Sequence, residues 1–182
     1  IEEDKRGTQL ILSRAHKNFV DSLFKSEVPE INEGIVEIMG ISRDPGGRTK
    51  IAVSSADSDI DAVGACVGMR GSRVQNIIQE LKGEKIDIVP WSPDPARFSC
   101  NALSPARVNK VILDESSKIM EVIVDEDQYS LCIGRRGQNV RLASELTQWE
   151  ITVKTDIQLK EEQQSVVKLL LTLPNISEVD AW

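Results

Sequence analysis

The sequence predicts an α+β fold built from one small unit used twice in tandem, each copy a three-stranded sheet covered by three helices. Three observations predict this. The segment Cys66-Val67-Gly68-Met69-Arg70-Gly71-Ser72-Arg73-Val74 recurs as Cys132-Ile133-Gly134-Arg135-Arg136-Gly137-Gln138-Asn139-Val140. With glycine at about 7% of residues, roughly one Gly-x-x-Gly is expected by chance in a chain of this size. Two of them, each after Cys-(Val/Ile) and each followed by Val, mark a duplication. The order of predicted elements also repeats: helix, strand, strand, helix, turn, helix, strand. Finally, 182 residues suit one large domain or two small ones, and the repeat favours two of about 65 to 70 residues each, near the size at which a single core becomes marginal.

Residues 9–13 read as a short strand with no partner inside the chain, like the last strand of a preceding domain. The first copy then opens with a helix over 16–28, with Phe19, Val20, Leu23 and Phe24 on one face, and Pro29 ends it. Strands at 34–42 and 49–54 flank Asp44-Pro45-Gly46-Gly47, a strong turn signal, and so form a hairpin. A short helix over 61–67 runs into the first glycine turn. The helix after it, 72–81, places Val74, Ile77, Ile78 and Leu81 on one stripe. A strand over 85–91, with Ile86 and Ile88 on one face, closes the unit.

Ser92-Pro93-Asp94-Pro95 is a short, stiff linker and also a helix start. The second copy follows: a helix over 95–103 stopping near Pro105, strands at 108–113 and 119–124 around Asp114-Glu115-Ser116-Ser117, a helix over 126–133, a helix over 138–146 and a strand over 149–155. Val140, Ala143 and Leu146 repeat the apolar stripe of the first copy, and Ile151 and Val153 repeat Ile86 and Ile88. Residues 160–172 form a further helix with a broad apolar side, broken by Leu173-Pro174-Asn175-Ile176.

The formal net charge is −7, which at first argues against a nucleic-acid partner. Binding depends on where charge sits rather than on its sum. Residues 64–79 hold Arg70 and Arg73 and no acid, and residues 129–144 hold Arg135, Arg136 and Arg141 and no acid. The chain is acidic, yet its two repeated turns are locally basic. No apolar run of about 18 residues is present to span a membrane, and no secretory leader opens the chain. The opening residue is Ile1, and the first residues read as the interior of a longer protein. The three cysteines, Cys66, Cys100 and Cys132, are odd in number and match no zinc spacing. Cys66 and Cys132 hold equivalent apolar positions, which predicts small buried residues, a reducing compartment and a cytoplasmic location. His16 is the only histidine, with no nucleophile or carboxylate placed beside it. No catalysis, metal or cofactor is therefore expected. The turns lack the Gly-x-x-x-x-Gly-Lys-(Ser/Thr) pattern of nucleotide hydrolysis. They also lack the third glycine of a dinucleotide site, and they join helix to helix.

A helix starts at once after each turn. Its first backbone N–H groups are expected to point outward without intrahelical partners, and with the helix dipole they make a phosphate site. Gly68, Gly71, Gly134 and Gly137 permit backbone angles closed to other residues and let a sugar-phosphate backbone approach. Met69, Arg70, Arg135 and Arg136 project into solvent, where the arginines add charge-assisted contacts. Ser72, Arg73, Gln138, Asn139 and Arg141 complete the predicted binding set from the first turns of the following helices. Such a turn grips a backbone without reading its sequence, and bases would lie over the adjacent helix and closing strand.

A Gly-x-x-Gly turn between two helices packed on a three-stranded sheet resembles the KH domain, a single-stranded nucleic-acid binder whose loop clamps about four nucleotides. The element order is similar to the type II form, which implies a mixed sheet. Val28-Pro29-Glu30-Ile31, Arg43-Asp44-Pro45-Gly46, Lys50-Ile51-Ala52-Val53, Val63-Gly64-Ala65-Cys66-Val67-Gly68-Met69-Arg70-Gly71 and Gly83-Glu84-Lys85-Ile86-Asp87-Ile88-Val89 resemble the first KH domain of the NusA family of bacterial transcription factors. Ala102-Leu103-Ser104-Pro105-Ala106 and Ile133-Gly134-Arg135-Arg136-Gly137-Gln138-Asn139-Val140-Arg141-Leu142-Ala143 resemble the second. The resemblance implies tandem type II KH domains at 16–91 and 92–156. It also implies the final strand of a truncated oligonucleotide-binding barrel within 1–15, while 157–182 is a helical tail. The implied activity is that of a factor that binds nascent single-stranded RNA, and RNA polymerase through regions outside these residues, to modulate pausing, termination and antitermination. A monomer is expected.

On this reading Arg70, Arg73, Arg135, Arg136 and Arg141 line the RNA path. Joining two weak clamps through residues 92–95 gives the second an effective concentration of roughly millimolar and raises avidity about 100-fold or more. No aromatic residue falls in either loop, so hydrogen bonds and aliphatic contacts, rather than stacking, would select bases. The second loop, with two arginines, is expected to grip phosphate more strongly than Met69-Arg70. The alternative is a duplicated α/β protein-interaction scaffold whose loops no longer bind RNA. Steep weakening of RNA binding with salt distinguishes the first reading from the second.

Overall fold

The computed structural model of the protein describes residues 2–4, 7–9 and 12–170. Contacts divide the chain into two units, Ile1–Pro93 and Asp94–Trp182. In the first, helix α1 (Lys17–Glu27) is capped by the His16 ring, whose Nδ1 accepts the Asn18 N–H at 3.2 Å, and it buries Val20 and Phe24. Pro29 ends α1 but also opens one more helical turn, α2 (Pro29–Asn32), because its fixed φ and missing N–H suit a first helical position. Strands β3 (Val36–Asp44) and β4 (Arg48–Ser55) pair antiparallel and close on Asp44↔Arg48, so the hairpin runs past the expected strand end at Ser42. Helices α3 (Ala62–Val67) and α4 (Ser72–Glu80) then form the crossover that a parallel pair requires, returning the chain as β5 (Lys85–Pro90) alongside β4.

The second unit repeats this plan. The Asp94 carboxylate caps α5 (Pro95–Ala102), accepting the Ala96 and Arg97 N–H groups at 3.1 and 3.3 Å. Strand β6 (Lys110–Asp114) pairs antiparallel with β7 (Ile119–Val124). Helices α6 (Glu126–Ile133) and α7 (Gln138–Thr147) lead to β8 (Glu150–Thr155), parallel to β7. Both three-stranded sheets are mixed, with β4 in the centre of the first and β7 in the centre of the second. The first core gathers Val20, Phe24, Val28, Ile51, Val53, Cys66 and Ile77 between that sheet and the helices. In the second unit Met120, Val122, Val124, Cys132, Leu142 and Leu146 are buried in like manner. Each large aliphatic side chain buried this way stabilises its unit by about 1.5–3 kcal/mol.

Three expectations are corrected. The strand expected at 9–13 is β2 (Gly7–Gln9), and it does have a partner within the chain: it pairs antiparallel with β1 (Glu2–Asp4). Leu10 and Ile11 lie outside the described residues, and Leu12 is in no strand. The segment leading into α1 is held instead by Arg43, whose Nη1 donates to the Arg14 and His16 carbonyls at 2.8 and 2.9 Å. The buried face of α7 keeps Ala143 and Leu146 of the expected stripe, but Asn139, Leu142 and Thr147 complete it and Val140 is only partly buried. The last helix, α8 (Asp156–Leu170), starts directly after β8 rather than at Lys160. A capping box explains this: the Gln158 N–H donates to Thr155 Oγ1 at 3.3 Å and the Thr155 N–H donates to Gln158 Oε1 at 3.0 Å. Val167 of α8 is buried while Val166 and Leu169 are exposed, and residues 171–176 lie outside the described residues. Among the described residues no helix is long and apolar enough to cross a membrane.

One difference between the units lies at matched positions. In the first, the Glu84 carboxylate is 1% exposed. It accepts two Arg43 guanidinium N–H groups at 2.9 Å each, the Gly46 N–H at 2.9 Å and the Thr49 hydroxyl. Burial pushes this carboxyl up, but the Arg43, Thr49 and Gly46 hydrogen bonds outweigh it and hold Glu84 below the usual carboxylate range. The pairings Arg43↔Thr49↔Ile86 and Leu113↔Met120↔Ile151 align the two sheets. Arg43, Thr49 and Glu84 are thereby matched by Leu113, Met120 and Trp149, so that apolar side chains stand where the first unit has a buried ion pair.

Candidate nucleic-acid interface

Each glycine turn is built in the same way. Helix α3 stops at Gly68 (φ 73°, ψ 173°), Met69–Gly71 forms one 3-10 turn, and α4 starts at Ser72. Helix α6 stops at Gly134 (φ 74°, ψ 171°), Arg135–Gly137 forms the turn, and α7 starts at Gln138. The third residue is left-handed in both, at φ 54°, ψ 26° for Arg70 and φ 55°, ψ 31° for Arg136. Gly71 (φ 80°, ψ 14°) and Gly137 (φ 73°, ψ 12°) follow in the same region. The duplication read from the residues therefore extends to the backbone conformation.

The first glycine of each turn is required twice over. Positive φ with ψ near 180° is open essentially to glycine alone. A Cβ on Gly68 would also stand 2.7 Å from Arg73 Cγ, and one on Gly134 would stand 2.7 Å from Asn139 Cβ and 2.8 Å from the Asn139 backbone nitrogen.

The tips are exposed: Met69 is 88% accessible, and Arg70, Arg135 and Arg136 are all exposed. Neither α4 nor α7 has a side-chain cap at its N-terminus. The expectation that the first N–H groups all point outward is corrected. The tight turn draws the Gly71 and Gly137 N–H groups back to the Gly68 and Gly134 carbonyls at 3.0 and 3.1 Å. The Ser72 and Gln138 N–H groups likewise turn to the Met69 and Arg135 carbonyls.

The remaining predicted residues divide. Ser72 is exposed at the head of α4, and Gln138 is half-buried at the head of α7. Arg141 is exposed on α7 and pairs with Glu145 at 3.5 Å. Arg73 and Asn139, at equivalent positions, turn inward. Arg73 Nη1 donates to Glu30 Oε2 at 2.8 Å and to the Ala65 carbonyl at 2.6 Å. Asn139 is 3% exposed, and its Nδ2 donates to the Leu103 and Cys132 carbonyls at 3.0 and 3.1 Å. Glu30 was absent from the sequence-based set: it reaches Arg73 from α2, 43 positions away, and so escapes any window drawn around the turn. Its own backbone N–H holds the Glu30 carboxyl below the usual range, with Arg73 helping against a partial burial that raises it. Burial, with the Glu30 charge second, pushes the Cys66 thiol up to about 11, and burial also raises Cys100. Cys66 is therefore a protonated thiol at neutral pH.

Comparison with known proteins fits this geometry. The description "NusA-like first KH domain" matches residues 14–91 and "NusA-like second KH domain" matches residues 95–161. The transcription termination/antitermination protein NusA of Halalkalibacterium halodurans is 50% identical over 161 residues, 88% of this chain and 42% of that protein. Its counterpart from Bacillus subtilis is 47% identical over 186 aligned positions, 99% of this chain and 50% of that protein. The chain thus spans half or less of the length of these relatives. The crystal structure of APE1850 shares the fold, with a TM-score of 0.54 and 23% identity over 75% of this chain and 96% of that one. Two KH matches in consecutive order, on two turns of one backbone conformation, show that the chain belongs to the NusA family and carries its tandem KH pair.

Proposed function

We propose that the chain binds single-stranded RNA through its two Gly-x-x-Gly loops, as the RNA-gripping part of a transcription factor that modulates pausing, termination and antitermination. One observation carries the reading. Two loops in an acidic chain hold the same backbone conformation and present exposed arginines at the head of a helix with no side-chain cap. The relatives are named for transcription termination/antitermination, which agrees with it. Each loop alone reaches few phosphates and binds weakly. Tethering through residues 92–95 raises the avidity of the pair by about 100-fold.

The working domain limits are 16–91 and 92–156, with the end of an oligonucleotide-binding barrel in 1–15 and a helical tail from 157. RNA polymerase is the proposed protein partner, met through regions outside these residues. The chain acts as a monomer in the cytoplasm, and its role is binding rather than catalysis.

The test replaces the two middle residues of each loop by aspartate: Met69→Asp with Arg70→Asp, and Arg135→Asp with Arg136→Asp. Aspartate tolerates the left-handed region better than most residues, so the turn is preserved while its charge is reversed. Titration with a labelled single-stranded RNA should show weaker binding for both variants and a larger loss for the second, which removes two cations. Unchanged affinity in both would sink the proposal and leave the protein-interaction scaffold.

A further inference from the structure

We propose that Arg73 and Asn139, with Glu30, are positioning residues that latch the two loops in their gripping conformation rather than groups that touch RNA. The inference rests on the reading that the loops grip RNA, and it adds how they are held. Residues 73 and 139 occupy the same place in the two copies but differ in charge, length and exposure. A shared phosphate contact would fall to a cation in one copy and to a neutral amide in the other. What they share is a pair of inward hydrogen bonds. Each donates to a carbonyl near the end of the helix before the loop, Ala65 in one unit and Cys132 in the other. Each also donates to a helical turn that precedes the strands of its sheet, at the Glu30 carboxylate of α2 or the Leu103 carbonyl that ends α5. The first glycine of each loop lies against this same side chain or its backbone, so the glycine admits the latch as well as the turn. The two latches differ in one respect. Arg73 and Glu30 are 28% and 31% exposed, whereas Asn139 is 3% exposed. The first can be opened by ions from solvent; the second cannot.

Opposite signs separate the latch from a direct contact. Freeing Arg73 by Glu30→Ala removes an acid beside the loop. If Arg73 reached phosphate, binding would tighten. As a latch, its release weakens RNA binding by about fivefold, the factor that a partly exposed ion pair supplies. Hydrogen exchange at the Gly71 N–H should quicken by a similar factor without RNA, while exchange in β4 stays unchanged. Arg73→Gln should weaken binding with the salt slope intact, and Arg73→Lys, which keeps the charge, should recover part of the loss. Tighter binding by Glu30→Ala, or a slope flattened by about 0.7 for Arg73→Gln, the share of one phosphate on a single strand, would overturn the latch. The exchange measurement is independent of RNA. If the wild-type chain binds no RNA, the proposed function fails, whereas unchanged exchange at residues 68–71 in both Glu30→Ala and Arg73→Gln overturns the latch itself. Asn139→Ala extends the test to the second unit. Should it fail to fold, the partly exposed pair in the first unit decides the matter.

Discussion

Gly134→Ala measures what the first glycine of a KH loop is for. Its backbone lies at φ 74°, ψ 171°, where any other residue is strained by about 1–3 kcal/mol. The added methyl would meet Asn139 Cβ at 2.7 Å and the Asn139 backbone nitrogen at 2.8 Å. A backbone atom cannot swing aside, so the first turn of α7 must shift, and overpacking of this kind costs about 1–3 kcal/mol. The stiffer unfolded chain offsets about 0.4–1 kcal/mol. The net expectation is a loss of about 3 kcal/mol from the second unit. Gly137→Ala supplies the control. Its backbone is left-handed as well, but nothing lies within 4 Å of the new methyl, so only strain of about 1–2 kcal/mol, less the same offset, remains. Gly68→Ala falls between, because the atom it meets is Arg73 Cγ, part of a flexible side chain, and adding Arg73→Ala should recover part of the loss. Urea denaturation followed by circular dichroism gives each value. Costs for Gly134→Ala and Gly137→Ala that agree within about 0.5 kcal/mol, the usual scatter of such comparisons, would refute the claim that the approach of Asn139 dictates a glycine at 134.

Other outcomes follow from the same geometry. Glu84→Gln leaves Arg43 as an uncompensated buried charge and should cost the first unit about 3–5 kcal/mol, read as an early transition in denaturant that the second unit does not share. Glu84 is held below its ordinary range, so its stabilisation is complete above the unfolded carboxylate value of about 4.3 and is lost as pH falls through the lower folded value. An acid titration of the wild type should show this loss, and Glu84→Gln should lack it. The Asp114 carboxyl, held at about 2 by the Ser116 hydroxyl first and then the Ser117 hydroxyl, should keep its charge to lower pH than an ordinary aspartate, as carbon-detected NMR would reveal. Thr155→Ala removes half of the capping box and should cost about 1 kcal/mol, with faster amide exchange confined to the first turn of α8.

Much of this fold is written locally. Asp44-Pro45-Gly46-Gly47 fixes a hairpin by turn chemistry alone, and the stripe Val74, Ile77, Leu81 fixes a helix by its period. The two loops are legible for the same reason: glycine, arginine and helix start are neighbours in the chain. What stayed hidden was non-local. Glu30 meets Arg73 from 43 positions away, and Arg43 meets Glu84 from 41, and no window on the sequence joins them. The inward turn of Asn139 was hidden differently. Reading the stripe of α7 from apolar residues alone selected Val140, because a polar side chain counts as interior only once its carbonyl partners are known. The start of α8 is legible in the sequence: Thr155-Asp156-Ile157-Gln158 is a Thr-x-x-Gln capping signature, which places the helix start ahead of the apolar residues further along.

The exchange of Arg43, Thr49 and Glu84 for Leu113, Met120 and Trp149 gives the two halves different failure modes. Acid dissolves this fastening of the first half by protonating Glu84, and Leu113, Met120 and Trp149 offer it no carboxylate at the matching positions of the second. Cooling weakens apolar association in both halves, but it leaves the Arg43–Glu84 pair charged and so spares that part of the first. The two halves should therefore come apart in opposite order under the two stresses, as calorimetry at low pH and cold unfolding in mild denaturant would reveal. On the proposed function, a strand gripped by both halves gains tolerance from this mismatch: a condition that opens one half leaves the other closed, and the strand stays tethered while the first half refolds.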